Sequence, residues 1–245
     1  MRTFGLVGYP LTHSFSQKYF SEKFRSSGID NAQYLNFSID TIEKFPQILK
    51  DHPDMVGMNV TIPYKEKVID YLDELDESVK FIGACNCIHI KNGKLKGYNT
   101  DYIGFKLSLL KKLKPHHTHA LVLGEGGAAK AVNYALKTLG IEYLTVSRRG
   151  IESPETIQYD QVNEEMLEQF TLIINTTPLG MAPNIETAPS IPYHAINDRH
   201  YLYDLVYNPD KTLFLKLGEE KGAAIENGME MLTIQAEEGW KIWNS

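Results

Sequence analysis

Gly124-Glu125-Gly126-Gly127-Ala128-Ala129 follows the apolar run Leu121-Val-Leu123 and fits the spacing G-x-G-x-x-G/A, with Ala129 in the last place. Glycines suit this spacing because a pyrophosphate must come close to the backbone and accept hydrogen bonds from N–H groups at a helix start. Ala128, Ala131, Val132, Ala135, Leu136 and Leu139 recur at helical spacing beyond the turn, and Gly140 supplies the stop. Strand, glycine turn and helix thus follow in the order a dinucleotide site requires, a plain tight turn being the alternative. Glu125 is awkward beside phosphates, and its side chain is expected to point away from them. The next strand ends in Val146-Ser147-Arg148-Arg149, where an NAD-selective fold would place an acid for the ribose 2′-hydroxyl. Two guanidiniums and a hydroxyl suit a 2′-phosphate instead, which favours NADP; two solvated surface arginines are the plainer reading.

A second set of polar residues clusters in the first half of the chain. Ser14 and Ser16 form a Ser-x-Ser pair after the first strand, with Ser16 placed to cap the following helix. Hydroxyls there either cap the helix or hold a carboxylate. Asn59 and Thr61 alternate onto one strand face, and Lys65 follows past a proline turn, so the three converge at a strand end. Asn59 and Asn86 each offer donors and acceptors, as a polyhydroxylated ring requires. Taken singly, each of these residues also has a turn or capping explanation.

The elements that must position these groups read as α/β. Strands are expected at 3–8, 34–39 and 55–61, with helices at 17–26, closed by Gly28, and at 41–49. The acid-rich stretch 66–80 reads as a helix with a solvated face, and Asn92-Gly93 as the turn of a hairpin joining 85–90 to 94–98. After a helix at 102–113 and a Lys-Pro-His-His connector, strands at 120–123, 143–147, 172–175 and 202–205 alternate with helices, which implies a parallel sheet with right-handed crossovers.

A chain of 245 residues accommodates two modest domains, and 42% hydrophobic with 23% charged residues is ordinary for a folded soluble protein. With 25 Lys and Arg against 31 Asp and Glu, the net −6 does not favour a nucleic acid partner. Residues 1–14 fit neither a signal peptide nor a membrane span, so the cytoplasm is expected. Cys85 and Cys87 form a single Cys-x-Cys pair, and neither a disulfide nor a metal site is expected of it. His116, His117 and His119 lack the Cys or carboxylate ligands that would make a metal centre, so none is expected.

The ordered segments His13-Ser14-Phe-Ser16, Asn59-Val-Thr61-x-Pro63-x-Lys65, Gly83-Ala-x-Asn86, Asn99-Thr100-Asp101, the glycine turn, Asn175-Thr176-Thr177-Pro178-Leu179-Gly180-Met181, Tyr207-Asn208-Pro209 and Gly228-x-x-Met231-Leu232-x-x-Gln235-Ala236 span nearly the whole chain. Together they closely resemble the shikimate dehydrogenase family. The resemblance implies an N-terminal α/β substrate domain (1–101) completed by C-terminal helices (229–245), a Rossmann-type doubly wound NADP domain (102–228), and a site in the cleft. The activity it implies is reversible NADP-dependent reduction of 3-dehydroshikimate to shikimate in aromatic amino acid biosynthesis. By the same resemblance Ser14 and Ser16 hold the substrate carboxylate, while Asn59, Thr61, Asn86, Asp101 and Gln235 contact ring hydroxyls and Tyr207 completes the pocket. Lys65 and Asp101 are the implied catalytic pair. Gly124, Gly126, Gly127, Ala128, Ser147, Arg148 and Arg149 hold NADP, with Asn175, Thr176, Thr177, Met181, Val206 and Gly228 on the nicotinamide side. The implied partner is a small molecule, with no membrane and no nucleic acid, and the implied assembly is a monomer or homodimer.

The chain departs from the family pattern in places. Gln17 replaces a usual proline, Phe20 and Ser21 a usual His-Asn pair, Cys87 a common threonine and Glu125 a usual alanine. Ser147-Arg148-Arg149 replaces the frequent Asn-Arg-Thr but keeps the central arginine. Rival readings are a quinate/shikimate dehydrogenase with broader substrate or NAD use, and a non-catalytic NADP- or metabolite-binding module; the presence of Lys65 and Asp101 argues against the latter.

Overall fold

The computed structural model describes residues 1–11, 14–149 and 153–245. The chain divides into two compact units, Met1–Thr100 with Ala236–Ser245, and Asp101–Gln235.

The first unit contains β1 (Arg2–Gly8), α1 (Phe15–Ser26), β2 (Ala32–Ser38), α2 (Phe45–Asp51), β3 (Met55–Val60), β4 (Glu74–Leu75), α3 (Glu77–Ile82), β5 (Cys87–Lys91) and β6 (Lys94–Tyr98). Its mixed sheet has the order β2-β1-β3-β5-β6-β4. β1 runs parallel to β2 and β3, and β5 antiparallel to β3 and β6. Period-two alternation sends Phe4 and Leu6 into a core with Phe20, Phe24, Tyr34 and Trp243, and Val7 into another with Met58, Val60, Tyr64 and Ile88. Asn92 (φ 52°) and Gly93 (φ 75°) make the expected hairpin turn, whose two left-handed residues match the twist of the strands.

Two local expectations need correction. α1 begins at Phe15 rather than Gln17, because Ser14 and not Ser16 is its N-cap: Ser14 Oγ accepts a hydrogen bond from Gln17 N at 3.1 Å. The stretch 66–80 is no single helix but a 3-10 turn at Lys67–Tyr71, then β4 and the start of α3. Two of its acids bind backbone. Asp73 Oδ2 accepts from Leu95 N at 2.7 Å, tying the segment to β6, and Asp76 Oδ1 accepts from Ser78 N at 3.0 Å, which starts α3.

The second unit contains α4 (Asp101–Leu109), β7 (His119–Leu123), α5 (Gly127–Thr138), β8 (Glu142–Ser147), β9 (Thr156–Gln158), α6 (Glu164–Gln169), β10 (Leu172–Asn175), β11 (Tyr201–Asp204), α7 (Leu213–Glu219) and β12 (Ala224–Glu226). The last helix, α8 (Met229–Trp243), crosses the unit boundary after Gln235. The sheet order is β12-β11-β10-β7-β8-β9, with every neighbouring pair parallel. Both faces are buried: Ala120, Val122, Ile174 and Tyr203 pack on Phe105, Val132 and Leu136, while Leu121, Leu123, Ile173 and Leu202 pack on Leu167, Phe214 and Leu215. That is the doubly wound arrangement. Among the described residues no helix is long and apolar enough to cross a membrane.

His117 in this unit is 3% exposed, with Nδ1 accepting from Lys114 N at 3.0 Å and Nε2 donating to Arg199 O at 3.1 Å. Burial lowers its pKa. A depressed folded pKa means that its stability contribution is complete above the unfolded value of ~6.5 and is lost as pH falls through the folded value. His117→Asn, which cannot titrate, is therefore expected to cost most stability above about pH 7 and progressively less toward about pH 5. Urea denaturation of both proteins across that range checks this; a cost that stays constant with pH would refute it.

Candidate functional site

In the second unit β7 and β10 lie side by side, while their onward connections run in opposite directions along the sheet, β7 toward β8 and β10 toward β11. Loops leaving such a reversal diverge and open a crevice at the strands' carboxyl ends. A cavity of about 470 Å³ lies there, lined by the glycine turn after β7, by Ser147, Arg148 and Arg149 at the end of β8, by Thr176 and Thr177 after β10, and by Tyr159.

The glycines divide the work. Gly124 has φ 110°, and a Cβ on it would meet Thr176 Oγ1 at 2.7 Å, so this position turns the chain and admits no side chain. At Gly126 and Gly127 a Cβ would meet nothing within 4 Å, which leaves the space before α5 open. Gly126 is the N-cap of α5 and offers no side-chain cap, so the first N–H groups of this 12-residue helix are available to an anion. Ala128 sits in that first turn, and Ala129, 1% exposed, packs α5 onto the sheet. These residues fit a dinucleotide pyrophosphate.

Arg149 is held at its backbone, where Ser147 Oγ accepts from its N–H at 2.9 Å. Its Nε lies 3.3 Å from Glu125 Oε1. Glu125 therefore does not turn away, as the sequence suggests; it lines the same cavity, because the guanidinium at the neighbouring strand end supplies a counter-charge.

A hydrogen-bond network shapes the opposite wall. Asn175, fully buried at the end of β10, accepts at Oδ1 from Thr177 N (3.0 Å) and Thr177 Oγ1 (2.6 Å) and donates from Nδ2 to Asp204 Oδ1 (2.9 Å). Asp204 also accepts from Val206 N at 3.0 Å and from Thr212 Oγ1 at 2.5 Å. Burial pushes the Asp204 pKa up to about 6. Thr176 N and Oγ1 both donate to Leu123 O, at 2.9 and 2.8 Å. The 175–177 turn is thus locked to the ends of β7 and β11. Asp204 was not foreseen, although a lone acid closing the apolar strand Tyr201-Leu-Tyr203 sits where ligands bind in such sheets.

Gly228 N donates to Val206 O at 3.2 Å, and a Cβ at Gly228 would run into Leu205 O. Met181 and Tyr207 are exposed. Gly228→Ala is expected to destabilise the protein by about 1–3 kcal/mol through this overpacking against backbone. Thermal denaturation tests it, and an unchanged Tm would show that the 205–206 loop yields freely.

Asp101 opens α4 and is 9% exposed, a favourable place for a carboxylate beside the helix's positive end. One turn along, a Cβ at Gly104 would meet Met231 O at 2.5 Å and Gln235 Cβ at 3.1 Å. The glycine lets α8 cross α4 closely and seats the buried Gln235 near the start of α4, with its Nε2 donating to Leu232 O at 2.9 Å.

In the first unit, Asn59 (4% exposed) lies near the end of β3, and its Oδ1 accepts from Tyr34 Oη at 2.7 Å while its Nδ2 donates to Asn86 O at 3.3 Å. The Ser16 side chain lies beside the same Tyr34 hydroxyl. Tyr34 thus links two of the expected site residues, a link no spacing rule reveals. Asn86 (3% exposed) accepts at Oδ1 from Thr100 N at 2.6 Å and donates to Thr100 Oγ1 at 3.0 Å, which fixes its amide. Thr61 follows β3, with its N–H on Val7 O at 2.9 Å, and the Lys65 carbonyl accepts from Cys85 N at 2.7 Å. Ser14, Ser16, Asn59, Thr61, Lys65 and Asn86 therefore all belong to this unit. His13 lies outside the described residues.

The histidines of the connector are tied to protein groups: His116 and His117 both direct Nε2 at Arg199 O, and His119 Nε2 lies 3.3 Å from Glu142 Oε2. Among the described residues no group of three or more His, Cys, Asp or Glu is placed to hold a metal ion.

A doubly wound parallel sheet with a glycine turn and two arginines at its switch point, joined to a second α/β unit of mixed sheet, defines a dinucleotide-binding protein with a separate domain for its other ligand. Comparison with known proteins narrows this. The family model for the shikimate dehydrogenase substrate binding domain matches residues 6–88. A shikimate dehydrogenase (NADP(+)) of Caldicellulosiruptor saccharolyticus is 38% identical over 260 residues, covering 99% of this chain and 92% of that protein. Among solved structures, a chorismate mutase/shikimate 5-dehydrogenase fusion protein from Clostridium acetobutylicum is 35% identical, with 100% of this chain and 91% of that one aligned and a TM-score of 0.89. A shikimate 5-dehydrogenase from Thermus thermophilus, in complex with NADP(H) and shikimate, is 29% identical over 99% of this chain and 93% of that one, with a TM-score of 0.86. This chain belongs to the shikimate dehydrogenase family.

Proposed function

We propose that the protein is an NADP-dependent shikimate dehydrogenase, an oxidoreductase that reversibly reduces 3-dehydroshikimate to shikimate in aromatic amino acid biosynthesis. The observation that carries this reading is the cavity at the switch point, which combines an open glycine turn with Arg148 and Arg149, in a chain 38% identical to an enzyme named for that reaction and cofactor.

Gly124, Gly126, Gly127 and Ala128 serve the pyrophosphate, and Ser147, Arg148 and Arg149 the 2′-phosphate. Asn175, Thr176, Thr177, Met181, Val206 and Gly228 border the nicotinamide. Ser14 and Ser16 bind the substrate carboxylate; capping occupies a lone pair of Ser14 Oγ and leaves its proton for an acceptor. Asn59, Thr61, Asn86, Asp101 and Gln235 meet ring hydroxyls, with Tyr207 completing the pocket.

The cofactor, when bound, gives or takes the hydride. In the reducing direction negative charge grows on the substrate oxygen, where Lys65 Nζ stabilises it and donates a proton. The Asp101 carboxylate orients that ammonium and a neighbouring substrate hydroxyl. The protein works in the cytoplasm on a small molecule, as a monomer or homodimer, without nucleic acid or membrane.

A spectrophotometric assay of shikimate oxidation, run in parallel with NADP and NAD and repeated with quinate, tests the reading. Turnover with shikimate and NADP well above the other combinations is expected. Folded protein that reduces neither cofactor in the presence of shikimate would overturn it.

A further inference from the structure

Glu125 stands between the two glycines that turn the chain into α5, on the wall of the cavity that holds Arg148 and Arg149. Its carboxylate lies 3.3 Å from Arg149 Nε, and its side chain is 28% exposed against 80% for that of Arg149. The acid is therefore the more buried member of the pair, seated in the wall, and the guanidinium reaches in from solvent. The Arg149 backbone is anchored on both sides, with its N–H on Ser147 Oγ at 2.9 Å and its carbonyl accepting from Gln158 Nε2 at 3.3 Å, so the side chain alone is left to move.

We propose that Glu125 sets the cofactor preference of this protein by competing with the 2′-phosphate of NADP for Arg149. This deepens the reading of the cavity as the NADP site and rests on it. A guanidinium engaged at Nε by a carboxylate presents fewer donors to a phosphate and carries less effective charge toward it. A 2′-phosphate must therefore displace or share that contact, and it then lies within a Debye length of the carboxylate it displaced. NAD has a hydroxyl at this place, pays neither penalty, and can donate to the same carboxylate. Glu125 thus disfavours one ligand of a pair rather than favouring the other, and so narrows the preference that the arginines create. Because the ion pair is largely exposed, its effect is modest, about two- to tenfold in affinity.

The test uses 2′,5′-ADP and 5′-AMP, which differ only in the 2′-phosphate, titrated onto the full-length protein as wild type, Glu125→Gln, Arg149→Gln and the double variant. Glu125→Gln should tighten 2′,5′-ADP by about two- to tenfold, leave 5′-AMP within about twofold, and lose most of its effect when Arg149 is already glutamine. The gain should also shrink at high salt. Equal tightening of both probes would mean general repulsion of phosphate and would overturn the inference, as would no change in either. Binding of 5′-AMP by every variant shows that the cavity remains folded. A wild-type protein that holds neither probe would instead overturn the reading of the cavity itself, and the inference with it.

Discussion

Replacing Lys65 by alanine is expected to lower kcat by about 10²-fold or more while shikimate still binds, because proton donation and charge stabilisation matter chiefly in the transition state. The Lys65 backbone is pinned by Cys85 N, and Thr61 before it is pinned by its hydrogen bond to Val7 O, so the substitution removes a side chain without releasing the loop. Asp101→Asn should have a similar effect, since the amide keeps the shape of the group but not the charge that orients an ammonium. If the two act as one unit, the double variant loses little beyond the worse single one. The plainer alternative makes Lys65 a surface lysine and Asp101 a favourable first-turn carboxylate of α4. It predicts near-normal kcat for Lys65→Ala and only a loss of stability for Asp101→Asn. Steady-state kinetics on folded single and double variants decides the matter, and a Lys65→Ala enzyme within a few-fold of wild type would sink the mechanism.

Arg148→Ala is expected to raise the KM for NADP by about 10- to 150-fold and to leave NAD use nearly unchanged, which corresponds to one charge-assisted contact of ~1.5–3 kcal/mol. Both arginines line the cavity, but Arg149 has Glu125 on its Nε, so the larger share of any 2′-phosphate binding is expected of Arg148. Kinetics with each cofactor in turn checks this. Equal losses for both would assign Arg148 to the fold rather than to the 2′-phosphate.

The cofactor half was the more legible in sequence because its chemistry is local. A strand, a glycine turn and a helix are contiguous in the chain, and Gly124, Gly126 and Ala129 each answer to a backbone requirement that spacing alone expresses. The Asn92-Gly93 hairpin was legible for the same reason. What remained hidden depends on partners distant in sequence. Tyr34 joins Ser16 to Asn59 across three elements, and Asp204 fixes Asn175 from the neighbouring strand. Periodicity also misled where polar side chains turned back on the backbone: Asp73 and Asp76 broke an apparent helix, and Ser14 took the cap that spacing offered to Ser16. Glu125 escaped because a residue's neighbours in the chain do not reveal the charge that a parallel strand brings beside it.

The final helix carries a consequence for how the protein is made. Trp243 of α8 lies against Gly57 and donates from Nε1 to Ile88 O at 3.0 Å, while Arg2 at the head of β1 hydrogen-bonds Asn244 at 2.8 Å, 242 residues away. On the ribosome, β1, α1 and β2 emerge long before α8, and the aromatic core of Phe4, Phe20, Phe24 and Tyr34 lacks its Trp243 wall until α8 is synthesised. The Rossmann-type unit, most of whose strands and helices are complete before that point, has the shorter wait. Until α8 is made the nascent chain therefore displays an unfinished apolar surface around β1 and α1, the kind of surface that chaperones hold and that drives aggregation when they do not. A nonsense or frameshift lesion anywhere upstream of α8 leaves that surface open for good, so even a truncation that spares every residue assigned to NADP should yield insoluble protein.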